Sequence, residues 1–316
     1  DNWFSFDYIK QKNHKKKRFE SIYNLSLRYY PENKGTLFSV QEAHLKYERS
    51  KTIVKYGRTI LNWDKFEKYW GLSKFHGLRG FSLLEDKEEG LIGVHLERKF
   101  GKFKIALFGS YFYVPQLNPG LKIENGLVSG YNEWTKLPPN LMSFSGGEAP
   151  VKYTLALPEI REIIFKPSVG LNLNYNWNRG DLSFYGIYKP ETNLRVKAFG
   201  YYEQELAEEA RMRARPYVNH HLIYGGHIRH SLKSFDFYLG GMIVNPITKH
   251  SDLFVAEEYE NYKFEPNYYQ ERYILGRVDY KQDNLIMSVN YLNGDQKVLK
   301  TNTAGGASIF GDGLKW

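Results

Sequence analysis

The feature that most constrains the fold of this chain is an alternation of apolar and polar residues that recurs in segment after segment. The clearest example runs from Val169 to Tyr188, where two alternating runs meet at the tight turn 178–181. In the first run, one face carries Val169, Leu171, Leu173, Tyr175 and Trp177, and the other carries Gly170, Asn172, Asn174 and Asn176. Side chains alternate between two faces in a β-strand, so the pattern predicts a hairpin with one oily face and one amide face.

Such a hairpin fits two kinds of all-β fold. A soluble sandwich would bury the oily face and turn the other face to water, where Lys, Glu and Thr are more usual than an asparagine ladder. In a transmembrane barrel, the oily face touches lipid and the polar face lines a wet interior. The repetition of the pattern from Arg18 to Leu292 favours the barrel, with the soluble sandwich as the alternative.

The composition suits many half-apolar strands. The chain holds 26 Tyr and 20 Phe among its 316 residues, yet its mean hydropathy is −0.55. This combination is typical of barrels that carry aromatic girdles at two membrane interfaces. No run of about 18 apolar residues occurs, which excludes a membrane-spanning helix.

The chain start and the charge balance add further expectations. Asp1 to Phe4 lack a basic stretch followed by an apolar one, so we expect a mature chain whose secretory signal has been removed. The absence of Cys excludes disulfides and thiolate metal sites. The formal net charge is +9, and part of it lies in the basic run Lys10 to Arg18. We interpret that run as a solvated turn, with contact to phosphate groups as the alternative.

Short and long connections alternate between the strand-like runs. The runs are Arg18–Tyr30, Thr36–Glu48, Thr52–Trp63, Leu91–Phe100, Phe103–Val114, Val169–Trp177, Leu182–Tyr188, Leu194–Glu203, Tyr217–His230, Phe235–Val244, Asn267–Tyr280, Leu285–Leu292 and Ala307–Trp316. In outer-membrane barrels, short turns lie on the periplasmic side and long loops lie outside. We therefore predict one antiparallel transmembrane β-barrel over residues 1–316, with about 12 strands and 14 as the alternative.

Two segments need separate interpretation. Leu194 to Glu203 breaks the alternation of short and long connections, so it is either a strand extension that stands above the membrane or a strand whose partner was not recognised. The loop 115–166 is rich in Pro, and its apolar residues argue against disorder. We predict that this loop folds into the lumen.

Two stretches resemble parts of known barrels. Val40 to Trp63 resembles the early hairpin of bacterial outer-membrane porins, notably the alginate-export type. The matching features are Gly57-Arg58 near a strand centre and the following Leu61-Asn62-Trp63. The C-terminus is similar to a barrel-assembly signal, through Phe310, Leu314 and Trp316 on one alternating face. The resemblance implies a porin-class barrel and implies no particular substrate.

Polar residues opposite the lipid-directed faces are the candidate site residues. Charges on the inner wall of a narrow pore act at low effective dielectric and tune which solutes enter. The predicted pore-lining residues are Glu42, His44, Lys46, Arg58, His95, Glu97, Lys104, Asn172, Asn174, Asn176, Arg195, Lys197 and Arg277. The alternative is a network of salt bridges and amides that merely fills a small barrel.

Other chemistries find less support in the sequence. His221 and His227 share a strand face but lie roughly 20 Å apart along an extended chain, too far to bind one metal ion. No Gly-x-Ser-x-Gly elbow supports an acyl hydrolase, and the glycines after residue 304 lack the Lys-Ser/Thr of a phosphate loop. We therefore expect no enzyme activity, no cofactor and no bound metal.

Two functions remain open from the sequence alone. The first is an outer-membrane channel for passive or facilitated diffusion of small hydrophilic solutes, with anions favoured by the net positive charge. The second is a non-conducting barrel whose loops bind a partner protein, lipopolysaccharide or another envelope lipid. Its contact residues would be Trp70, Trp134 and the segment Tyr259 to Tyr269. In both cases we expect contact with outer-membrane lipid and none with nucleic acid, and the oligomeric state stays open.

Overall fold

A computed structural model describes residues 4–14, 18–31, 35–64, 69–70, 72, 74–79, 87–116, 121–130, 138–144, 147–202, 209–248, 255–258, 260, 262–282 and 285–300. Trp134, Tyr259 and the C-terminal residues Phe310, Leu314 and Trp316 lie outside these ranges, as does the predicted strand Ala307–Trp316. Among the described residues, no helix is long and apolar enough to cross a membrane.

The described chain is almost entirely β-structure. The first strands are β1 (Phe4–His14), β2 (Phe19–Tyr30), β3 (Gly35–Arg49), β4 (Thr52–Thr59), β5 (Gly77–Arg79), β6 (Lys87–Glu89), β7 (Leu91–Phe100), β8 (Phe103–Ser110), β9 (Leu121–Glu124), β10 (Leu127–Gly130), β11 (Leu141–Phe144) and β12 (Gly147–Leu155). The short helix α1 (Ile160–Ile164) follows. The remaining strands are β13 (Ser168–Trp177), β14 (Gly180–Pro190), β15 (Arg195–Tyr202), β16 (Ala210–Tyr217), β17 (His220–Leu232), β18 (Phe235–Pro246), β19 (Tyr262–Phe264), β20 (Tyr268–Gln282) and β21 (Leu285–Lys300).

Twelve of these strands form one antiparallel sheet, which confirms the predicted fold class. Its order is β1-β2-β3-β4-β7-β8-β13-β14-β17-β18-β20-β21. Strands that follow one another in this order also follow one another along the chain, as in an up-and-down barrel. In the described part of the chain, no backbone ladder joins β1 to β21.

The hairpin of β13 and β14 has the predicted register and the predicted faces. Val169 pairs with Tyr188 at one end and Trp177 pairs with Gly180 at the turn. Val169 is 61% exposed on the outer face of the sheet, whereas Asn172 on the opposite face is 2% exposed. The alternation in the sequence therefore separates an exposed apolar face from an enclosed polar one.

Short turns and long connections lie at opposite ends of the sheet. Short turns close the pairs β1–β2, β3–β4, β7–β8, β13–β14, β17–β18 and β20–β21, and we call that end the short-turn rim. With the exception of the brief β2–β3 connection, the links at the other end are long, and we call it the loop end. This arrangement agrees with the predicted alternation of connections.

The loop end carries a second sheet of five strands in the order β11-β12-β16-β15-β19. β12 runs parallel to β16, and β15 is antiparallel to both β16 and β19. A hydrogen bond from the Glu191 N–H to the Asn219 carbonyl links β14 and β17 just where β15 and β16 begin to extend beyond them. Of the two alternatives for Leu194 to Glu203, the structure therefore supports a strand extension. Its described part, β15, lies beyond the twelve-stranded sheet.

One side of the five-stranded sheet has a core of its own. Val196 and Ala198 of β15 pack there with Met212 of β16 and with Val151 and Tyr153 of β12. Burial against a separate core explains why β15 alternates like a strand of the twelve-stranded sheet although it lies outside that sheet. Most of the described parts of loop 115–166 lie in or beside this sheet. Inward folding of that loop stays a prediction.

The twelve-stranded sheet is rolled around the segment that follows β4. We call the described residues between 60 and 90 the inner segment. Its Lys87 contacts Asp7 of β1, and its Lys74 contacts Glu271 of β20, so one segment touches inner faces near both edges of the sheet. A flat sheet of this width would hold those strands far apart, because neighbouring strands are roughly 4.8 Å apart.

Candidate functional site

A glycine just before the inner segment changes the direction of the chain. Gly57 of β4 has φ +127°, and a Cβ there would lie 2.4 Å from the carbonyl oxygen of Ala43. Only glycine adopts this backbone conformation next to a neighbouring strand without strain. The break in alternation lets Arg58 turn toward the enclosed side, where its Nε donates to the Gly90 carbonyl at 2.9 Å.

Arg58 meets a buried carboxylate at the end of the inner segment. Its Nη2 lies 2.8 Å from Oε2 of Glu89, a residue that is 5% exposed. The other oxygen, Oε1, accepts a hydrogen bond from Ser39 Oγ at 2.9 Å and one from the Val40 N–H at 3.2 Å. Both oxygens of the buried carboxylate are therefore satisfied, which fixes the inner segment against β3 and β4.

Aromatic side chains of the inner segment fill the enclosed space near its middle. Trp63 and Phe75 are buried and meet edge to face, with ring centroids 6.5 Å apart. They pack against inward side chains of four strands, namely Ala106, Phe108, Tyr185, Ile187, Ile223, Met242 and Val244. Gly170 of β13 makes room for the indole, since a Cβ there would lie 2.8 Å from the Trp63 ring.

His76, next to Phe75 along the chain, bonds to Leu61, two residues before Trp63, and so links the two parts of the chain that form this aromatic cluster. The Leu61 N–H donates a hydrogen bond to Nε2 of His76 at 3.0 Å. Burial lowers the pKa of His76 from 6.5 to about 4. A neutral ring with Nε2 as the acceptor agrees with both this contact and the lowered pKa.

The far side of the inner segment reaches the last strands of the sheet. Lys74 Nζ lies 2.5 Å from Glu271 Oε2 of β20, and the Lys74 carbonyl accepts a hydrogen bond from Lys189 Nζ of β14 at 3.2 Å. The guanidinium of Arg277 lies 4.2 Å from the centroid of the Tyr69 ring. The inner segment therefore crosses the enclosed space from β4 to β20.

A small cavity remains beside this crossing. Its volume is about 30 Å³, and its lining includes Arg58, Glu89, Phe108, Gln116 and Lys189. That volume is close to the share of one water molecule. The inner segment packs closely against β8 and β14 beside this cavity, and we call this part of the enclosed space the narrow region.

Toward the short-turn rim, the inner wall carries charges and amides instead of aromatic rings. Three ion pairs join strands there: Lys46–Glu20 at 3.2 Å, Lys104–Glu97 at 3.8 Å and His227–Asp181 at 3.2 Å. A fourth, Arg277–Asp279 at 2.7 Å, lies within β20. Asn172 Nδ2 donates to Ser183 Oγ at 2.7 Å, and Asn176 donates to Asn174. This half of the wall is therefore polar.

Eleven of the thirteen predicted pore-lining residues belong to strands of the twelve-stranded sheet. Among them, Glu42 Oε1 accepts a hydrogen bond from the Ile60 N–H at 3.2 Å, and His44 Nδ1 lies 3.2 Å from the Arg58 carbonyl oxygen. His95 Nδ1 lies 3.6 Å from Glu97 Oε1. Their placement agrees with an inward orientation, while a role in solute passage stays a prediction.

Arg195 and Lys197 are placed elsewhere. Both belong to β15 of the five-stranded sheet, beyond the wall of the twelve-stranded one. Arg195 Nε lies 2.7 Å from Glu191 Oε2, and Lys197 Nζ lies 3.5 Å from Glu265 Oε1. Because β15 extends past the end of β14, these two cations stand at the loop end rather than along the barrel wall.

Several residues of the narrow region were not among the predicted ones. They are Asp64, His76, Glu89, Tyr185 and Lys189. Tyr185 donates to Asp64, and Lys189 Nζ lies 3.3 Å from His221 Nε2. The inner face of β14 mixes the polar Asp181, Ser183 and Lys189 with Tyr185 and Ile187, so the sequence pattern alone does not show which of them meet the inner segment. Among the described residues, no group of three or more His, Cys, Asp or Glu could hold a metal ion.

Comparisons with known proteins give a uniform but distant result. No protein-family model and no curated protein matches the chain. Among solved structures, it is similar to a loop L8 deletion mutant of the Vibrio cholerae outer membrane protein OmpT, with 7% identity, 93% of this chain and 85% of that chain covered, and a TM-score of 0.36. A mutant of the Rh. blastica porin has 5% identity, coverage of 93% and 90%, and a TM-score of 0.30. Acinetobacter baumannii OccAB4 has 9% identity, coverage of 95% and 86%, and a TM-score of 0.28.

Proposed function

We propose that this protein is a channel of the bacterial outer membrane through which small hydrophilic solutes diffuse without turnover chemistry. The observation that carries the proposal is the division of the twelve-stranded sheet into an exposed apolar outer face and an enclosed polar inner face. On β13, the outer face carries Val169, Leu171 and Leu173, and the inner face carries Asn172 and Asn174. This is the arrangement that lipid outside and water inside demand.

Aromatic residues near both ends of the outer face support a membrane location. Phe103 and Tyr175 pair near the short-turn rim, and Phe112 and Phe165 pair near the loop end. Phe103 at the start of β8 and Tyr111 just after its end mark the two levels, eight residues apart along the chain. Eight residues span roughly 26 Å along a strand, or roughly 20 Å along the axis of a tilted barrel, which matches an apolar band between two girdles.

The inner segment is the element we assign to control of passage. It crosses the enclosed space and leaves a cavity of about 30 Å³ beside Arg58 and Lys189. Because the inner segment crosses the enclosed space, small solutes pass only when that segment moves on the timescale of transport. We therefore propose a low basal conductance that rises when the inner segment is displaced.

We further propose that anions pass more readily than cations. Lys55 of β4 faces the enclosed side directly opposite Lys46 and His95 in the neighbouring strands. Arg58 and Lys189 add two cations beside the cavity, against the single carboxylate of Glu89. A local excess of positive charge at a narrow point lowers the barrier for anions.

Planar-bilayer recording tests both parts of this function. Purified, folded protein should give discrete ion-conducting events, and a salt gradient should give a reversal potential on the anion-selective side. Replacing Lys55 with Glu should move that potential toward cation selectivity, while Lys51→Glu at the rim should move it less. Absence of events from folded protein would overturn the channel, and cation selectivity in the unmodified protein would overturn the anion preference.

A second candidate rests on the five-stranded sheet. The five-stranded sheet has its own buried core, so its outer surface is rigid. A partner protein or an envelope lipid would bind such a surface without a large change in its shape. Pull-down against envelope components, with and without residues 121–155, separates this function from conduction. The alginate-export resemblance of Val40 to Trp63, the inward folding of loop 115–166 and assembly into oligomers all stay predictions.

A further inference from the structure

Each of the six hairpins presents a basic side chain at the short-turn rim. We call the following residues the rim cations: Arg18, Lys51, Lys102, Arg179, Lys233 and Lys281. All of them are exposed. They occupy or flank the turns β1–β2, β3–β4, β7–β8, β13–β14, β17–β18 and β20–β21 in that order. The chain thus places positive charge at regular intervals around one end of the sheet.

Two of the rim cations sit in a backbone conformation that other residues adopt more easily. Arg18 has φ +56° and Lys233 has φ +52°. Gly, Asn or Asp would fit these left-handed positions with less strain. Turn geometry alone therefore does not account for basic residues there.

The charge of the rim is largely uncompensated. Lys281 pairs with Asp236 at 2.7 Å, but Arg18, Lys51, Lys102, Arg179 and Lys233 form no ion pair with any described residue. Cations of the loop end differ in this respect. Arg213 lies 2.6 Å from Glu260, and Arg215 lies 2.7 Å from Glu162. Five of the six rim cations are therefore exposed without an ion-pair partner among the described residues.

An aromatic girdle lies immediately inside the rim cations. Phe19 follows Arg18, Phe103 follows Lys102, and Phe235 lies two residues after Lys233. Their rings pair across strands, with centroids 5.0 Å apart for Phe19–Tyr47, 4.7 Å for Phe103–Tyr175 and 5.0 Å for Phe235–Tyr280. Aromatic belts sit at the level of lipid head groups, so the side chains just beyond them reach the level of the lipid phosphates.

We propose that the short-turn rim binds the phosphate groups of anionic membrane phospholipids. The inference rests on the membrane location given under the proposed function. Basic residues held at a bilayer surface each attract anionic lipid by about 1 kcal/mol, and salt screens this attraction. Lipid fits the rim better than a soluble anion does, because the cations are spread one to a hairpin around the sheet and form no pocket.

Tryptophan quenching by brominated lipid measures this binding directly. Trp177 lies in the girdle two residues before Arg179, so its fluorescence reports on lipid at the rim. Protein reconstituted in brominated phosphatidylglycerol and in brominated phosphatidylcholine gives the relative association constant of the two lipids, with Trp177→Phe supplying the background. We expect roughly threefold or greater preference for phosphatidylglycerol in dilute salt, and its loss near 0.5 M salt.

Two variants of equal charge locate the effect. The rim variant carries Lys51→Gln, Lys102→Gln, Arg179→Gln and Lys233→Gln. The control carries Lys152→Gln, Arg161→Gln, Arg211→Gln and Lys263→Gln, which are exposed cations of the loop end. The preference should vanish in the rim variant and persist in the control.

Three results would overturn the inference. They are equal quenching by both lipids in the unmodified protein, equal loss of preference in the control variant, and removal of the preference by millimolar inorganic phosphate, which would indicate a soluble-anion site. Conductance is recorded from the same preparations. Conducting protein without lipid preference refutes the lipid inference alone, whereas protein that never inserts into bilayers refutes the proposed function together with it.

Discussion

Lys74 Nζ lies 2.5 Å from Glu271 Oε2, and this ion pair joins the inner segment to the eleventh strand of the twelve-stranded sheet. Both side chains are mostly buried. Arg58 and Glu89 make the corresponding connection on the other side of the enclosed space. The inner segment is thus held at two opposite sides by charge pairs, with an aromatic cluster between them.

Breaking the Lys74–Glu271 pair should free one side of the inner segment. Lys74→Met leaves a partly buried carboxylate without this partner, so we expect a loss of about 1–2 kcal/mol in the free energy of unfolding and a higher conductance. Heat-dependent gel mobility and bilayer recording measure the two effects. Lys152→Met, which removes an exposed pair with Glu209 at the same 2.5 Å distance, should change neither. Equal effects of both substitutions would contradict the assigned role.

Gly170 should be needed to admit the Trp63 ring. Gly170→Ala places a methyl group 2.8 Å from the indole, so the ring must move, at a cost of about 1–3 kcal/mol. Gly186→Ala is the matched control, because a Cβ at that position meets nothing within 4 Å. Thermal unfolding and Trp fluorescence should change in the first variant and stay near the unmodified values in the second. Indistinguishable variants would mean that Trp63 does not pack against β13.

Acid should loosen the inner segment through His76. Its pKa is about 4 in the folded protein, against 6.5 in the unfolded chain, so the unfolded state binds more protons between these values. The contribution of His76 to the free energy of unfolding is therefore fully present above pH 6.5. It falls by at most about 1.4 kcal/mol per pH unit as the pH drops toward 4. His76→Gln keeps a hydrogen-bond acceptor but does not titrate, so the variant should lose this part of the pH dependence. His230→Gln, on the outer face, should retain it, and retention by the His76 variant would refute the assignment.

The alternation in the sequence was enough to predict eleven of the twelve strands of the large sheet, though not β1, and the sides on which short and long connections lie. It worked because each outer face must be apolar whatever its neighbours are, so the signal is local. The narrow region could not be predicted in the same way. Trp63, Phe75 and His76 follow no strand or helix period, and the strands that pack against Trp63 and Phe75 begin about thirty residues away and extend to more than a hundred.

The inward folding of loop 115–166, predicted from its length, stays a prediction. In the described part of the chain the inner segment crosses the enclosed space, and length does not determine its path. The decisive features are Gly57, which redirects the chain, and Glu89, which needs Arg58 as a buried partner. Both are single residues whose meaning depends on contacts across strands. Arg195 and Lys197 were assigned to the wall because β15 alternates like a wall strand, although its apolar side is covered by loop residues.

The two edge strands should pair and close the barrel. β1 and β21 run in opposite directions, and their outward apolar runs align when Phe6 lies opposite Val289, Phe4 opposite Tyr291 and Tyr8 opposite Met287. Followed through the observed registers, this alignment gives a stagger of about 14 residues around the barrel, equivalent to a strand tilt of about 39°. Tilts of 35–45° are usual for such barrels, and unpaired backbone groups are not tolerated in lipid.

An engineered disulfide tests this closure in a chain without native Cys. Oxidised Phe6→Cys/Val289→Cys protein should form an intramolecular crosslink in the folded state, seen as a mobility shift after denaturation that a reductant reverses. The control Phe6→Cys/Val278→Cys places the second thiol one strand farther away and should not crosslink. Crosslinks that form only between chains would show that another copy closes the seam.

The central claim is that the inner segment narrows a transmembrane channel, and single-channel conductance tests it most directly. Residues 65–74 are replaced by a short Gly-Ser linker, which retains Trp63 and His76, and the control has residues 203–208 of the loop end shortened in the same way. We predict discrete conducting events from the unmodified protein and a conductance at least roughly twofold higher in the inner-segment variant only. Folded protein that never conducts, or a conductance that the linker leaves unchanged, would contradict the claim.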